Sequence, residues 1–304
     1  MDINNHPCFN DSARHRSGRL HLPVAPACNM QCNYCRRDLE CVNELRPGVS
    51  RRILKPTQAL AYLDAALEKM KNISVVGIAG PGDPLANGAQ TLETLRLVRE
   101  KYPDMLLCIA TNGMELPRYA EELARLNVSH VTVTVNAIDA EIGAKIYVWV
   151  RHNRKMYHGI EAGRIIADKQ MKGILRLKKL GVTVKVNTVV ISGINDSHVS
   201  DIAQAMQKAG VDIMNCIPMY RIEGTAFESI APPEPSVVNE LRRQAGAYIP
   251  QMNHCSRCRA DAAGLIGEAP DGGIQTLLDE AAKFVPPESS SYVAVASRGR
   301  LLCQ

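Results

Sequence analysis

Residues 19–35 read RLHLPVAPACNMQCNYC and join an apolar run to a loop that holds three cysteines. The run Arg19–Pro26 predicts a β-strand. Cys28, Cys32 and Cys35 follow it in a CxxxCxxC spacing. Clustered thiols in a chain of this size indicate metal or redox chemistry rather than a disulfide framework.

On the C-terminal side of this stretch, short apolar runs alternate with helical patterns. Five more strands are predicted at Ile73–Gly80, Met105–Thr111, Val131–Ala137, Val182–Ile191 and Asp212–Met219. Helices are predicted at Pro56–Asn72, Leu92–Lys101, Leu116–Asn127, Gly159–Leu180 and Asp201–Ala209. Such an α/β alternation without hairpin signals predicts a parallel sheet with helices outside. A doubly wound open sheet and an incomplete barrel both fit, and in either one ligands bind at the carboxyl ends of the strands.

Polar and glycine-rich clusters fall at those strand ends. They are Gly80–Asp83 (GPGD), Thr111–Gly113 (TNG), Asn136 and Gly193–Asp196 (GIND). Each cluster alone is explained by turn chemistry. Four of them at corresponding strand ends favour a ligand site.

The three thiols of the first loop suit an iron–sulfur cubane, because thiolates are the usual ligands of such clusters. A structural zinc ion is the alternative, and it requires a fourth ligand. Cys41 or a distant histidine is the available candidate. The loop follows the first strand of the series, where a barrel places its chemistry.

The composition excludes several other classes of protein. The chain has 304 residues, is 46% apolar and carries a net charge of +5 with scattered basic residues. No apolar run is long enough for a membrane span, and the first residues lack the apolar core of a secretory signal. With 4% aromatic residues, stacking platforms for nucleic acid are scarce. A cytoplasmic protein that binds neither membrane nor nucleic acid is predicted.

The cysteine loop, with its aromatic Tyr34, resembles the signature of radical S-adenosylmethionine (SAM) enzymes. Later segments correspond to the family's SAM-binding motifs: Ala79–Pro84, Thr134–Asn136 and Val189–Gly193. The resemblance implies a partial (β/α)6 barrel of the TIM type and a SAM-chelated [4Fe–4S] cluster, held by Cys28, Cys32 and Cys35 as catalytic ligands. It also implies SAM contacts from Tyr34, Gly80, Gly82, Asp83, Thr134, Asn136 and Val190.

A narrower resemblance extends over nearly the whole chain. The stretches HPCFN, GPGDPLAN and HCSRCRADAAGLIGE, together with residues 13–35, resemble the NifB family of nitrogenase cofactor maturases. The similarity is to the form that lacks an appended NifX-like domain. It implies that two further [4Fe–4S] clusters, as substrates, are fused around a SAM-derived carbide to give an [8Fe–9S–C] precursor.

The resemblance also implies ligands for those two substrate clusters. It assigns Cys8, His21 and Cys108 to one cluster and Cys255 and Cys258 to the other. Without the resemblance, a lone cysteine or histidine on a strand is more often a packed structural residue. The CxxC pair is a familiar metal site, and zinc is the main alternative to an iron–sulfur cluster there. Of the other cysteines, Cys216 is predicted to be packed on the sixth strand, Cys303 to be exposed near the terminus, and Cys41 to be at most a spare ligand. No role is predicted for His6, His15 or His254.

Two alternative functions stay open at this point. One is a radical SAM enzyme that acts on an organic or peptide substrate and carries an auxiliary cluster. The other is a non-catalytic iron–sulfur scaffold, which would not need the segments that resemble SAM-binding motifs. The cluster-building reading implies several partners: iron–sulfur cluster donors, an electron donor such as ferredoxin, and carrier proteins that accept the product.

The predicted organisation has three parts. An N-terminal arm covers residues 1–18, the barrel covers 19–230, and a C-terminal extension with cluster ligands covers 231–304. Within the extension, helices are predicted near Val237–Ala247 and Ile274–Phe284, and residues 292–297 (YVAVAS) resemble a strand.

Overall fold

The computed structural model describes residues 2–43, 45–268 and 272–285. Its strands are β1 Gly18–His21, β2 Met30–Cys32, β3 Ile73–Ile78, β4 Leu106–Thr111, β5 Val128–Thr134, β6 Tyr147–His152, β7 Lys155–Tyr157, β8 Thr183–Val190, β9 Ile213–Pro218 and β10 Ala263–Gly264. Its α-helices are α1 Pro56–Lys69, α2 Gly88–Lys101, α3 Leu116–Arg125, α4 Ala140–Ile146, α5 Gly159–Lys179, α6 Val199–Lys208, α7 Pro235–Ala245 and α8 Gly272–Ala281.

The main sheet has the order β10-β1-β3-β4-β5-β8-β9. Every neighbouring pair from β1 to β9 is parallel, and β10 pairs antiparallel with β1 at one edge. The six parallel strands curl into a half barrel with helices outside, which confirms the predicted partial (β/α)6 barrel. Their apolar residues are buried because helices cover the outer face of the sheet.

The first strand is shorter than predicted. Regular pairing of β1 ends at His21, although a parallel bridge joins Ala25 to Pro81 further on. Pro23 and Pro26 have no backbone N–H to donate, so the run between them cannot continue the ladder. The chain nevertheless stays extended towards the cysteine loop, and the loop begins at the carboxyl end of the barrel strands.

The expectation of a chain without hairpins was wrong between α4 and α5. Here β6 and β7 form a hairpin, and β2 of the cysteine loop joins it as a third strand. The two turn residues, Asn153 and Arg154, have φ of 48° and 64°, which is the left-handed pair that a tight hairpin needs. Arginine rarely adopts that conformation, so the sequence carried no strong turn signal.

The helices agree with the predicted ones to within a few residues at most ends. Helix α5 ends where Gly181 adopts φ of 77°, and the N–H of Val182 donates to the Leu177 carbonyl at 3.1 Å. That is the usual glycine-terminated helix end. Helix α4 was missed because it is short. Its first turn is capped by Asp139, whose carboxylate accepts from the N–H groups of Glu141 and Ile142.

Both terminal segments return to the barrel. The N-terminal arm turns over the inside of the sheet, where the rings of His6 and Phe9 contact His130 at centroid distances of 4.4 and 4.5 Å. In the extension, β10 continues the main sheet and α8 packs against α1. The expected strand at 292–297 lies outside the described residues, and the three-part division stays a prediction. None of the described helices is long and apolar enough to cross a membrane.

Candidate functional site

The three clustered cysteines line one cavity of about 240 Å³, here named the triplet cavity. Cys28, Cys32 and Cys35 lie in its wall, as the sequence predicted for a common site. The structure adds five neighbours from the ends of β3 and β4 and from the loop itself: Cys41, Pro81, Gly82, Asp83 and Asn112. The amide of Asn112 contacts the Cys28 sulfur at 3.6 Å and donates to the Asn29 side chain at 2.7 Å.

The thiols of this cavity form no disulfides, and Cys32 is buried whereas Cys28, Cys35 and Cys41 are half-buried. Burial raises the pKa of Cys32 well above its usual value, raises the pKa of Cys28 with a further contribution from Asp83, and raises the pKa of Cys35 to about 11. Such thiols stay protonated at neutral pH unless a metal cation replaces the proton. Iron bound to the sulfur would supply the positive charge that the proton otherwise provides.

The spacing of the donors suits a cluster better than a single ion. Within residues 2–43, 45–268 and 272–285, no group of three or more His, Cys, Asp or Glu side chains is arranged to hold one metal ion. A cubane takes each of its thiolate ligands on a different iron atom, so its ligands need not converge on one point. Three thiols in the wall of one cavity therefore fit a [4Fe–4S] cluster.

The glycines of the GPGD segment serve close packing around the cysteine loop. A side chain at Gly82 would lie 2.2 Å from the Ala27 carbonyl oxygen, and one at Gly80 would lie 3.0 Å from Leu45. The N–H of Gly82 donates to the Ala25 carbonyl at 2.6 Å. The segment thus fixes the chain just before Cys28. Its predicted contact with SAM stays a prediction.

The carboxylate of Asp83 is buried and holds four hydrogen bonds. One oxygen accepts from the backbone of Leu85 and Ala86, and the other accepts from the Thr111 hydroxyl at 2.8 Å and the Asn112 N–H at 2.6 Å. Burial raises the pKa of Asp83, against these hydrogen bonds, which favour the charged form. Asp83 therefore ties the GPGD segment to the end of β4, and the predicted ammonium contact is not tested by this geometry.

Other residues predicted to bind SAM form a buried network beside the cavity. Asn136 donates to the Tyr34 hydroxyl at 2.7 Å and accepts from the Val189 N–H at 2.9 Å, and Tyr34 donates to Asn43 at 2.5 Å. This network joins the cysteine loop to β5 and β8. Five predicted contacts are not among the described residues that line the triplet cavity: Tyr34, Gly80, Thr134, Asn136 and Val190.

The predicted ligands Cys8, His21 and Cys108 meet at a second, much smaller cavity. This arm cavity measures about 20 Å³, and it is lined also by His6, Arg19 and Lys185. Its three predicted ligands come from the arm, from β1 and from β4. The space corresponds to about one water-sized sphere, so a cluster would fit only after the arm had moved outward.

The imidazole of His21 is held in one tautomer by a backbone carbonyl. Its Nδ1 lies 2.9 Å from the Arg259 carbonyl oxygen, and that acceptor requires Nδ1 to carry the proton. Burial, with a further contribution from Arg19, lowers the pKa of His21 to about 4, so the ring is neutral at physiological pH. Nε2 then keeps its lone pair, which is the arrangement of most metal-binding histidines.

The predicted pair Cys255 and Cys258 lies in the extension near both other sites. Cys258 lines a third cavity of about 230 Å³, the tail cavity, together with four arginines: Arg19, Arg46, Arg257 and Arg259. Its sulfur accepts from Nη2 of Arg19 at 3.1 Å. Cys255 packs against the same apolar cluster as Cys28 and Cys35.

The remaining cysteines divide into three cases. Cys216 is fully buried on β9, as predicted, and burial raises its pKa to about 12. Cys41 lines the triplet cavity, and its N–H donates to the Pro81 carbonyl at 2.8 Å. Cys303 lies outside the described residues.

Sequence reasoning gave no role to Arg19, and it named Asn112 only within a polar cluster and Cys41 only as a spare ligand. Asn112 carried a signal in the TNG cluster, although its contact with Cys28 depends on how β4 meets the loop. Cys41 lies six positions beyond Cys35, outside the signature spacing, and only the fold brings it back to the same cavity. Arg19 resembled an ordinary polar residue at the start of a strand.

Comparison with known proteins shows similarity at two levels, a superfamily and a narrower family. The family model described as the radical SAM superfamily matches residues 22–206. The FeMo cofactor biosynthesis protein NifB of Chlorobaculum tepidum is 54% identical over 299 residues, which are 98% of this chain and 70% of that relative. The NifB of Klebsiella pneumoniae is 48% identical over 86% of this chain, which spans only 57% of that protein's length.

A solved structure also shares the fold. The crystal structure of Streptococcus suis SuiB bound to S-adenosylmethionine aligns with a TM-score of 0.56 at 15% identity, and it covers 79% of this chain and 54% of that protein. At this identity the likeness concerns the fold alone.

Proposed function

We propose the function of this protein from one premise, which is that the chain belongs to the radical SAM superfamily and, within it, to the NifB family of FeMo cofactor biosynthesis proteins. We infer that it is a radical SAM enzyme that fuses two [4Fe–4S] clusters, as substrates, around a carbide derived from the methyl group of SAM. The two clusters supply eight iron and eight sulfur atoms of the [8Fe–9S–C] product.

In this proposal the triplet cavity holds the resident cluster. Cys28, Cys32 and Cys35 would hold three of its iron atoms, and the fourth would take SAM. The bound cluster supplies the electron that cleaves SAM to a 5′-deoxyadenosyl radical. Asn112 orients the Cys28 sulfur, and Asp83 keeps the GPGD segment against the loop.

The observation that carries the proposal is the convergence of Cys8, His21 and Cys108 on one cavity. These residues are up to a hundred positions apart, and packing alone gives no reason for two thiols and an oriented imidazole to meet there. A radical SAM enzyme for an organic substrate needs no such ligand set inside the barrel. A substrate cluster does, because its ligands must be replaceable when the product leaves.

Cys255 and Cys258 are proposed to hold the second substrate cluster. Cys255 packs against the apolar cluster that Cys28 and Cys35 also contact, and the Cys258 sulfur accepts a hydrogen bond from Arg19, which lines the arm cavity. These contacts support a position of the pair near both other sites. Cluster donors, a reducing partner such as ferredoxin and a carrier for the product are the partners that this chemistry requires.

The test is to count iron per chain after anaerobic reconstitution with iron and sulfide. Three cubanes correspond to about twelve iron atoms, and Cys108→Ala should lower the count by about four while SAM cleavage continues. Cys216→Ala is the matched control, because it removes a buried strand thiol from outside all three cavities. About four iron atoms in the unaltered protein would contradict the proposal and favour an organic substrate. Absence of SAM cleavage at full iron content would favour a scaffold.

A further inference from the structure

A surface groove beside the cysteine loop reaches one of the thiols of the triplet cavity. This basic groove measures about 460 Å³ and is lined by residues of the loop, of α3 and of the β6–β7 hairpin. Cys28 lines both the groove and the triplet cavity, whereas Cys32 and Cys35 line the cavity and not the groove. Of the three proposed ligands of the resident cluster, Cys28 is therefore the one that a molecule bound in the groove would approach.

Three exposed arginines make the groove positively charged. Arg118 lies on α3, Arg151 on β6 and Arg154 in the hairpin turn. Glu115 is the one acidic residue among the described residues that line the groove. In the part of the chain that the structure describes, none of the three arginines forms an ion pair with a carboxylate. Their charges can therefore attract an acidic partner.

The positive charge continues over the β6–β7 hairpin. Residues 145–158 hold two lysines, two arginines and no aspartate or glutamate, which gives a net charge of +4 with histidine neutral. Met156 pairs with Arg151 across the hairpin, and Trp149 lies two positions before Arg151, so the three share one face. The guanidinium groups of Arg37 and Arg151 lie 5.1 and 5.9 Å from the centre of the Trp149 ring. Arginine, tryptophan and methionine are the residue types that are enriched at protein–protein interfaces.

Hydrogen bonds connect this surface to the cysteine loop. The N–H of Arg151 donates to the Asn29 carbonyl at 2.8 Å. The Asn29 side chain accepts from the amide of Asn112, which also contacts the Cys28 sulfur. In addition, β6 pairs directly with β2 of the loop. A redox protein bound to the hairpin would therefore lie beside the resident cluster without entering the triplet cavity, where SAM is proposed to bind.

The position of the groove indicates which partner it serves. None of the described residues that line it also lines the arm cavity or the tail cavity, so a carrier of the product would not reach those sites from here. We propose that the basic groove and the adjoining face of the β6–β7 hairpin are the docking surface for the reductant, a small acidic iron–sulfur protein of the ferredoxin class. Bound there, ferredoxin gives one electron to the resident cluster and becomes oxidised; no bond is made or broken and no proton moves. This inference rests on the proposed function, and it identifies where the electron donor binds.

The experiment measures binding and electron delivery separately in the reconstituted full chain. The probe is an acidic [2Fe–2S] ferredoxin that contains no tryptophan. Trp149 is the one tryptophan of the chain, so its emission reports contact at this surface. A titration in about 1 M salt, which screens charge attraction, provides the baseline. SAM cleavage is then driven either by the reduced ferredoxin or by dithionite, a small reductant that needs no docking surface.

The double variant Arg118→Glu with Arg154→Glu should bind ferredoxin about tenfold more weakly at low salt, because two attractive charges become repulsive. Cleavage driven by limiting ferredoxin should fall by a similar factor, and cleavage driven by dithionite should not change. The matched control is Lys179→Glu with Lys208→Glu. It reverses two exposed charges just before the amino ends of β8 and β9, at the other end of the barrel, and it should change neither quantity.

A milder variant decides the matter if the double reversal does not fold. Arg118→Gln with Arg154→Asn only removes the two charges, and asparagine tolerates the left-handed backbone of the hairpin turn. Binding of ferredoxin that is about threefold weaker supports the proposal, and unchanged binding overturns it.

Each remaining outcome contradicts a defined statement. Unchanged binding and delivery in the double reversal would overturn the docking surface and leave the proposed function intact. Equal losses in the control variant, or loss of dithionite-driven cleavage in the double reversal, would also overturn it, because the effect would then not be specific to docking. A dimer of the unaltered protein that the double reversal dissociates would assign the surface to a second copy of the chain instead. Absence of SAM cleavage with both reductants in the unaltered protein would contradict the proposed function, whereas the Trp149 titration reads binding independently of cleavage.

Discussion

The triplet cavity and the arm cavity differ in size and in construction. The first measures about 240 Å³ and takes its three main thiols from a single eight-residue segment, Cys28–Cys35. The second measures about 20 Å³ and takes its predicted ligands from the arm, β1 and β4. Cys8 and His6 of the N-terminal arm form part of the wall of the second cavity.

The difference fits a resident cofactor at one site and a substrate at the other. A resident cluster needs a permanent and braced site, and the loop is braced by the Asp83 and Asn136 networks. A substrate cluster must enter and its product must leave, so its site needs a ligand on a segment that can move. Under the proposal Cys8 is that ligand, because it lies on the N-terminal arm, whereas His21 lies on β1 and Cys108 on β4.

The largest expected effect is the loss of the resident cluster in Cys32→Ala. Reductive cleavage of SAM should fall to background, because a cluster with two ligands cannot be held in place to chelate SAM. The iron content should fall by about four atoms per chain, and the substrate cluster proposed for the arm cavity should still bind. The measurements are 5′-deoxyadenosine formation under reduction and iron content. Cys216→Ala serves as the control with normal cleavage, and normal cleavage in Cys32→Ala would remove the triplet from the mechanism.

A smaller effect, confined to the arm cavity, is expected from Gly77→Ala. The new side chain would lie 2.9 Å from Cδ2 and 3.2 Å from Nε2 of His21, and the ring is anchored on its other side by the Arg259 carbonyl. The ring must tilt, so its Nε2 no longer points at the cluster site. Overpacking of this kind costs about 1–3 kcal/mol in the free energy of unfolding.

Gly77→Ala should therefore lose up to about four iron atoms per chain while it cleaves SAM normally. Gly272→Ala is the control, since a side chain there meets no other atom. Full iron content in Gly77→Ala would show that His21 is not a ligand. Loss of SAM cleavage would show that the two cavities are not independent.

Much of this arrangement could be predicted from the sequence. Buried apolar strands alternating with helices have few folded solutions, so the partial barrel followed from the pattern. The position of the cysteine loop at a strand end followed from the same order of strands and helices along the chain. Cys8, His21 and Cys108 required the resemblance, because a thiol or imidazole on a strand carries no local sign of its distant partners.

The features that could not be predicted from the sequence depend on tertiary contacts. The β6–β7 hairpin turns at Asn153 and Arg154, whose left-handed conformations are imposed by strand pairing rather than by glycine. The four hydrogen bonds of Asp83 depend on the approach of β4 to the GPGD segment. Arg19 and Cys258 are in contact although 239 positions separate them in the sequence. No local sequence pattern predicts such a contact.

The smallest expected effect concerns His254, which connects the tail loop to the arm. Its Nε2 lies 2.8 Å from the Pro7 carbonyl oxygen, and its Nδ1 lies 3.2 Å from the Asp11 carboxylate. These two contacts join the neighbour of Cys255 to the neighbour of Cys8. If the arm must move for a cluster to enter, His254 is the contact that has to break first.

His254→Ala should loosen the arm without unfolding the barrel. A hydrogen bond contributes about 0.5–1.5 kcal/mol net, so amide exchange within residues 6–13 should become up to about tenfold faster. Hydrogen–deuterium exchange of the iron-free protein measures this directly. His158→Ala is the matched control, because it removes a comparable histidine–carbonyl hydrogen bond, 2.9 Å to Val148, from the distant hairpin. Unchanged exchange in the arm would mean that the ring packing of His6 and Phe9 on His130 holds it instead, and the closed arm cavity would then need a different opening point.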